Sequence, residues 1–189
     1  MSTLCKLAHD GGLRVHVDGA RIWNAAVALE TAPKELLAGA DTMMFCLSKG
    51  LGAPVGSLLC GGGDVIVEAR GQRSRMGGAM RQAGIIAAAG IVALENMVDR
   101  LAEDHVRARR IADAIAEHWP ASLDAGAVRT NIVCADLRRL PSNFVERLEA
   151  RGVVCGTLDP RTVRFVTHKD VDDDGITQAM AAFDELARA

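Results

Sequence analysis

The chain is poor in aromatic residues. It contains no tyrosine, and aromatic residues make up 3% of its 189 residues. Few side chains are therefore available to stack on a flat ligand. No stretch is strongly basic and the formal net charge is −2, so the sequence lacks the electrostatic footprint of a nucleic-acid-binding protein.

Long apolar runs and a cysteine framework are missing as well. The longest apolar run, residues 84–94, is too short to cross a bilayer. The N-terminus shows neither the basic start nor the apolar core of a signal peptide. The five cysteines are odd in number and scattered, without a C-x-x-C pair, which argues against a disulfide framework or a zinc site and for a reducing compartment. We therefore expect a cytoplasmic protein without a metal site or a membrane partner.

The first part of the chain alternates strand-like and helix-like segments, as is typical of an α/β fold. Strands are predicted over residues 13–17, 41–47 and 55–60. The second is continuously apolar and is expected to be buried on both faces. The third is reached by a short Gly/Pro turn and is expected to run antiparallel to the second. Helices are predicted over residues 21–30 and 33–39.

A long helical region separates this part from a smaller one. Residues 80–96 are apolar almost all round, which predicts a helix inside a core or an interface, whereas residues 97–119 form an amphipathic pattern. The remainder predicts strands and helices of an α+β domain, over residues 130–137, 142–152, 153–155, 162–166 and from about 173. Asp172 or Asp173 is expected to cap the last helix.

These patterns divide the chain into two predicted domains, 1–105 and 106–189. The first supplies about three strands, and such a sheet is marginal for an α/β core. We therefore expect that a front piece of the sheet is missing and that the protein is truncated at its N-terminus.

An acid and an amine follow two neighbouring predicted strands. Asp18 ends the first strand, on the same face as Arg14 and His16, and open α/β sheets bind ligands at this end. Lys49 comes after the second strand, inside a glycine-rich turn. Such a pair suits pyridoxal phosphate (PLP), because the amine can bind the cofactor covalently while the acid keeps its pyridine nitrogen protonated. On spacing alone, a capping role for Asp18 and an ordinary loop position for Lys49 remain alternatives.

Four stretches together resemble the low-specificity L-threonine aldolases, in the β-eliminating lyase group of PLP enzymes. They are HVDGARIWNA (16–25), CLSKGLGAPVGSLL (46–59), GGAMRQAGIIAAAGI (77–91) and VRFVTHKDV (163–171). They occur in the family's order and cover essentially the whole chain, which resembles only the family's C-terminal portion. The resemblance implies part of a PLP-dependent transferase fold type I large domain (three-layer α/β/α, incomplete sheet), followed by a small α+β domain. The family's phosphate-cradling turn and ring-stacking histidine belong to the N-terminal region, outside this chain.

The resemblance also assigns roles to individual residues. It implies that Lys49 binds PLP covalently, that Asp18 pairs with the pyridine nitrogen and that Ala20 packs beneath the ring. Arg21 and Arg164 would bind the substrate α-carboxylate, a role that suits a planar guanidinium.

The roles of the surrounding residues are less sharply defined. Ser48 is expected either to contact the phosphate or to shape the turn. Arg81 either reaches toward the phosphate of a neighbouring subunit or is a surface charge. Family members often carry a lysine where this chain has Ser74, so a role for that lysine would pass to Arg73 or Arg75.

The histidines near the motifs are expected to be structural. His16 is interpreted as a core histidine or as a hydrogen-bonding support for Asp18, and His168 as a residue that positions the loop after Arg164. Asp64 is expected to cap a helix after the glycine run at 61–63.

The implied reaction is retro-aldol cleavage of L-threonine, L-allo-threonine or a similar β-hydroxy-α-amino acid to glycine and an aldehyde. The implied assembly is a homo-oligomer, a dimer of dimers, with PLP as its cofactor. Two alternatives remain open. An aminotransferase or another β-eliminating lyase would share Asp18 and Lys49, and a non-catalytic fragment would serve only in assembly.

Overall fold

A computed structural model describes residues 1–188. Its contacts divide the chain into two compact units, Met1–Asp99 and Arg100–Ala189. The division comes just before a long helix, whereas the sequence pattern placed it within that helix. The assignment of the two parts to a PLP-binding domain and a small domain stays a prediction.

The first unit is built on a three-stranded mixed sheet. Its elements are α1 (Ser2–Asp10), β1 (His16–Asp18), α2 (Ile22–Leu29), α3 (Pro33–Leu36), β2 (Thr42–Cys46), β3 (Ser57–Gly61), α4 (Gly63–Arg75) and α5 (Gly84–Asn96). The strand order is β1-β2-β3, with β1 parallel and β3 antiparallel to β2. The predicted antiparallel pairing of the second and third strands is therefore confirmed.

The first strand begins later than predicted. Residues 13–17 were expected to be extended, but β1 starts at His16. The reason is local, since the amide of Val15 donates to the Asp41 carboxylate at 2.7 Å instead of entering the strand ladder.

Two apolar segments of this unit are only partly buried. Within β2 only Phe45 is buried, so the expectation that this strand is covered on both faces is wrong for the described chain. Helix α5 begins at Gly84 and buries Gly90 and Ala93, while Ile85 is 84% exposed. An apolar segment can be covered only where other elements pack on it, and the described part of this unit covers these two incompletely.

The second unit is an antiparallel sheet with helices on one face. Its elements are α6 (Leu101–His118), β4 (Ile132–Asp136), α7 (Phe144–Glu149), β5 (Gly156–Asp159), β6 (Thr162–Val166) and α8 (Asp173–Arg188). The strand order is β4-β6-β5. The bounds of β6 match the prediction, whereas β5 begins after residues 153–155. The Val153 amide donates back to the Leu148 carbonyl beyond the end of α7, at 3.0 Å, which delays the strand.

The core of this unit lies between its sheet and its helices. Alternate residues of β4 and β6, such as Val133 and Val163, are fully buried in it, and the rings of Phe144 and Phe183 stack within it with centroids 6.2 Å apart. The predicted cap of α8 is confirmed for Asp172, whose carboxylate accepts from the Gly175 amide at 2.9 Å. No helix among residues 1–188 is long and apolar enough to cross a membrane.

Candidate active site

Asp18 and Lys49 lie at the same edge of the first sheet. Asp18 is the last residue of β1 and pairs in register with Met44 near the end of β2. Because the carboxyl ends of parallel strands meet at one edge of a sheet, the chain leaving β2 enters the loop that carries Lys49 at the edge where Asp18 lies. The structure therefore brings to this edge the two residues that the sequence pattern predicted there.

The turn after β1 fixes the Asp18 carboxylate. Gly19 is buried, and its amide donates to the Met44 carbonyl at 2.9 Å. A Cβ on Gly19 would lie 3.0 Å from the Met44 carbonyl oxygen and from the Met43 methyl carbon, so a larger residue would be crowded at this position. The Asp18 Oδ1 accepts from the Ala20 amide at 3.1 Å. Its Oδ2 has no hydrogen-bond partner among the described residues and can accept from a ligand.

The loop between β2 and β3 holds Lys49 through its backbone. The Leu47 amide donates to the Gly56 carbonyl at 2.9 Å, and the Ala53 amide donates to the Leu47 carbonyl at 3.0 Å. The Gly52 amide closes a turn on the Lys49 carbonyl at 2.9 Å. Within residues 1–188 the Lys49 ammonium takes part in no hydrogen bond or ion pair, and the residue is exposed. An amine in this situation is accessible to an aldehyde in solution.

The residues around this pair are exposed or half-buried. Ser48 is exposed beside Lys49, and Ala20 is half-buried. Arg21 occupies the N-cap position of α2 and is half-buried. Its guanidinium makes no hydrogen bond or ion pair with the described residues. Asp18, Ala20 and Arg21 therefore belong to one short turn, and a carboxylate and a guanidinium with free hydrogen-bonding capacity lie at this edge of the sheet.

The other predicted site residues lie further away along the chain. Helix α5 begins at Gly84, later than predicted, so Arg81 lies in the turn between α4 and α5. It is exposed there. Arg164 is half-buried in the central strand β6 of the second unit, where it pairs with Cys134 and Gly156. Since the neighbours of Arg164 in β6 are buried in the core, its side chain is on the opposite face of that sheet. The roles of both arginines stay predictions.

The structure corrects the interpretation of His16. This histidine is exposed, and its Nδ1 shares a hydrogen bond of 2.9 Å with the Thr42 hydroxyl. It is therefore not a core histidine, and its described partner is Thr42 rather than Asp18. Asp64 also differs from expectation, because Gly62 occupies the N-cap position of α4 and Asp64 makes no capping hydrogen bond.

The structure also places His168 and the three residues around position 74. His168 lies in the loop after β6, where its Nδ1 accepts from the Asp170 amide at 3.3 Å. Ser74, Arg73 and Arg75 are exposed on α4, and nothing in their surroundings selects one of the two arginines.

A polar cluster on Asp41 was not predicted from the sequence. His9 lies 2.9 Å and Arg14 3.0 Å from this carboxylate, which also accepts from the Val15 amide at 2.7 Å. These hydrogen bonds, that of Val15 first, hold the pKa of Asp41 well below its usual range. The cluster ties α1 to the start of β1 and β2, away from the Lys49 edge. No local pattern marks it, because its members come from three separate stretches of the chain: helix α1 and the segments just before β1 and β2.

The groups at the Lys49 edge fit PLP chemically. Asp18 offers a free carboxylate oxygen for a protonated pyridine nitrogen, and Lys49 offers a primary amine for an aldehyde. Ala20 is small enough to leave room for a flat ring beside the turn. The exposed Ser48 hydroxyl is a hydrogen-bond donor of the kind that a phosphate accepts.

Comparison with known proteins defines the class. Residues 1–138 match the family described as "Beta-eliminating lyase", and the chain belongs to this family. Within it, the chain is similar to low-specificity L-threonine aldolases and corresponds to their C-terminal portion.

Two relatives show the extent of this similarity. The chain is 41% identical over 177 residues to the "Low specificity L-threonine aldolase" of Escherichia coli, covering 93% of this chain and 52% of that protein. It is 37% identical over 185 residues to the "Probable low-specificity L-threonine aldolase 2" of Arabidopsis thaliana, covering 96% and 52% respectively. The chain thus spans about half the length of these relatives.

The fold gives an independent comparison. The structure superposes on the threonine aldolase of Leishmania major with a TM-score of 0.79 and 14% sequence identity. The superposition covers 97% of this chain and 55% of that one. At this identity the likeness shows the fold, which is a mixed α/β fold shared with threonine aldolase structures.

Proposed function

We propose that this chain provides the PLP-binding lysine of an aldolase that cleaves L-threonine, L-allo-threonine and similar β-hydroxy-α-amino acids to glycine and an aldehyde. The observation that carries the proposal is the position of Asp18 and the unpaired Lys49 at one edge of the β1–β2 pair. Membership of the beta-eliminating lyase family supports the same chemistry.

Each residue has a defined task in this proposal. The Lys49 amine would hold the cofactor covalently, and Asp18 Oδ2 would keep a proton on its pyridine nitrogen. When bound, PLP supplies a sink for the electrons released at Cα. Arg21 would bind the substrate carboxylate, which restricts rotation about the Cα bonds and so selects the Cα–Cβ bond for cleavage. The same role for Arg164 is what the family resemblance implies. The residue that takes the β-hydroxyl proton is not among these.

The test uses a full-length hybrid, because the chain spans about half of its relatives. The N-terminal half of the Escherichia coli relative is joined to residues 1–189, and glycine and aldehyde are measured with L-threonine and PLP. Lys49→Ala is expected to abolish aldehyde release. Lys34→Ala, at an exposed lysine of α3, is the matched control and is expected to leave it unchanged. Appreciable turnover by Lys49→Ala contradicts the proposal, and release of a keto acid or ammonia instead of glycine indicates a different member of the PLP enzymes.

The chain without the hybrid half is expected to bind PLP weakly or not at all. Lys49 and Ser48 are exposed, and the resemblance implies that the family's phosphate-cradling turn belongs to the half of the relatives that this chain does not cover. The absorbance of added PLP, followed before and after borohydride, measures this directly. A strong covalent signal at Lys49 in the 189-residue chain contradicts the expectation.

A homo-oligomer is also part of the proposal. The exposed, apolar residues Ile85, Ile91 and Val92 on α5 support it, since such a helix gains stability when another surface covers it. Arg81, in the turn before this helix, is proposed to approach the phosphate bound to a neighbouring subunit. Sedimentation of the hybrid tests the assembly: Ile85→Glu is expected to shift it toward smaller species, and Lys34→Glu is not. A hybrid that sediments as a monomer contradicts this part.

A further inference from the structure

Leu47 comes directly before Ser48 and Lys49 in the chain and is buried. In the folded structure it lies close to two glycines, Gly56 and Gly90. Its side chain is 7% exposed. A Cβ on Gly56 would lie 3.6 Å from the Leu47 Cδ1, an ordinary contact distance. A Cβ on Gly90 in α5 would lie 2.9 Å from the same atom, which is too close. An alanine at position 90 would therefore force the Leu47 side chain at the start of the Lys49 loop to shift.

The backbone of Leu47 is part of the hydrogen-bonded loop. Its amide and its carbonyl are both hydrogen-bonded across the loop, to Gly56 and to Ala53. The next turn is closed by the bond between the Gly52 amide and the Lys49 carbonyl. A displacement of the Leu47 backbone would thus disturb its hydrogen bonds with Gly56 and Ala53. Lys49 follows two residues later in the same loop.

We propose that Gly90 is a positioning residue for Lys49. By leaving space for Leu47, it allows the loop conformation that presents the Lys49 ammonium at the edge of the sheet. Glycine is unfavourable inside a helix, and the contact with Leu47 is a physical reason for its presence at position 90. The catalytic meaning of this positioning rests on the function proposed above, whereas its structural part does not.

The first measurement is hydrogen exchange on the 189-residue chain carrying Gly90→Ala. We expect the amides of Leu47, Gly52 and Ala53 to exchange roughly tenfold faster, because overpacking at Leu47 weakens the loop bonds. Gly84→Ala is the matched control on the same helix, where an added Cβ meets nothing within 4 Å. If exchange in Gly90→Ala equals that in Gly84→Ala, then Leu47 turns aside without moving the loop and the inference is overturned.

A compensating variant covers the case in which Gly90→Ala unfolds the first unit. Leu47→Val removes the δ carbons that an alanine at position 90 would meet. In the Gly90→Ala/Leu47→Val pair, we expect slow exchange of the Gly52 and Ala53 amides to return. If the pair exchanges as fast as Gly90→Ala alone, or is equally unfolded, the contact does not position the loop and the inference fails.

The second measurement links the loop to the cofactor. In the hybrid, labelling of Lys49 by PLP and borohydride at limiting PLP is expected to fall several-fold in Gly90→Ala and to be unaffected in Gly84→Ala. Absence of Lys49 labelling in the unmutated hybrid would count against the proposed function and not against the positioning. If amide exchange is faster in Gly90→Ala but Lys49 labelling is undiminished, the contact stabilises the loop without positioning Lys49, and the proposed role of Gly90 toward Lys49 is overturned.

Discussion

The Gly19 amide donates to the Met44 carbonyl at 2.9 Å and joins the end of β1 to β2. This bond lies beside Asp18, so the position of the candidate cofactor ligand depends on a glycine that packs against a strand. The same is true of Lys49, whose loop contacts α5 at Gly90. Both proposed ligands of PLP thus lie near a glycine at which an added methyl group would make a tight contact.

Gly19→Ala is expected to destabilise the first unit by about 1–3 kcal/mol, because the new methyl group meets the Met44 carbonyl oxygen and the Met43 side chain. Urea unfolding followed by Trp23 fluorescence, in a Trp119→Phe background, reports on this unit. Trp23 packs edge to face on Phe45 with ring centroids 5.8 Å apart, so its fluorescence senses β2. Gly71→Ala in α4, where an added Cβ meets nothing within 4 Å, is expected to be neutral or stabilising by about 0.5–1 kcal/mol. Equal stability of the two variants would contradict the packing argument.

Asp41→Asn is expected to destabilise the first unit more at neutral pH than in acid. Hydrogen bonds from Val15, His9 and Arg14 lower the pKa of Asp41 in the folded state. Its contribution is therefore complete above the unfolded pKa of about 3.9 and is lost as the pH falls through the lower folded value. Unfolding by urea at pH 7, 5 and 3 should show a difference from the parent chain at pH 7 and 5 that shrinks at pH 3. Asp10→Asn, at an exposed residue that ends α1, serves as the control, and a difference independent of pH would refute the linkage.

Arg100→Ala is expected to destabilise the second unit by roughly 3 kcal/mol. Its guanidinium binds both carboxylate oxygens of Asp104, at 2.7 and 3.3 Å, and the Asp104 side chain is fully buried. Removing one partner leaves a buried charge without compensation. Arg110→Ala breaks the more exposed pair with Asp173 and is expected to cost less than about 1 kcal/mol. Trp119 fluorescence in a Trp23→Phe background measures both variants, and costs of similar size would show that burial is not the deciding factor.

Cys155 is expected to be the slow cysteine toward alkylation when compared with Cys60 and Cys134. Burial, with smaller contributions from Glu146 and Glu149, raises the pKa of Cys155 to about 11. At pH 8 roughly a thousandth of this thiol is then the reactive thiolate. Cys60 and Cys134 are exposed, so iodoacetamide should modify them first, as mass spectrometry of the peptides would show. Modification of Cys155 as fast as that of Cys134 at pH 8 would contradict the assignment.

Much of the site could be predicted from the sequence because its signals are local. The ends of β1 and β2 follow from the turn residues after each apolar run, and this places Asp18 and Lys49 at one sheet edge. The strand β6 and the cap of α8 at Asp172 follow from equally local patterns. Family resemblance added the roles of these residues, which spacing alone left open.

Other features could not be predicted, since they depend on what packs against a segment. The apolar pattern of α5 predicted a helix in a core or an interface without deciding between them, and Ile85 is exposed because no described element covers it. His16 shares a hydrogen bond with Thr42 rather than supporting Asp18, a choice between two neighbours that periodicity does not encode.

The sequence by itself determined the order of the strands and helices, the two candidate ligands of the cofactor and the family. Those properties depend on hydrophobic periodicity, turn residues and motifs, all of which act over short stretches of chain. Only the tertiary structure decided that Asp41 gathers His9 and Arg14, and that Gly19 and Gly90 make room for Met44 and Leu47. The physical reason is that hydrogen-bond partners and free volume are set by atoms from distant parts of the chain, which become neighbours only when it folds.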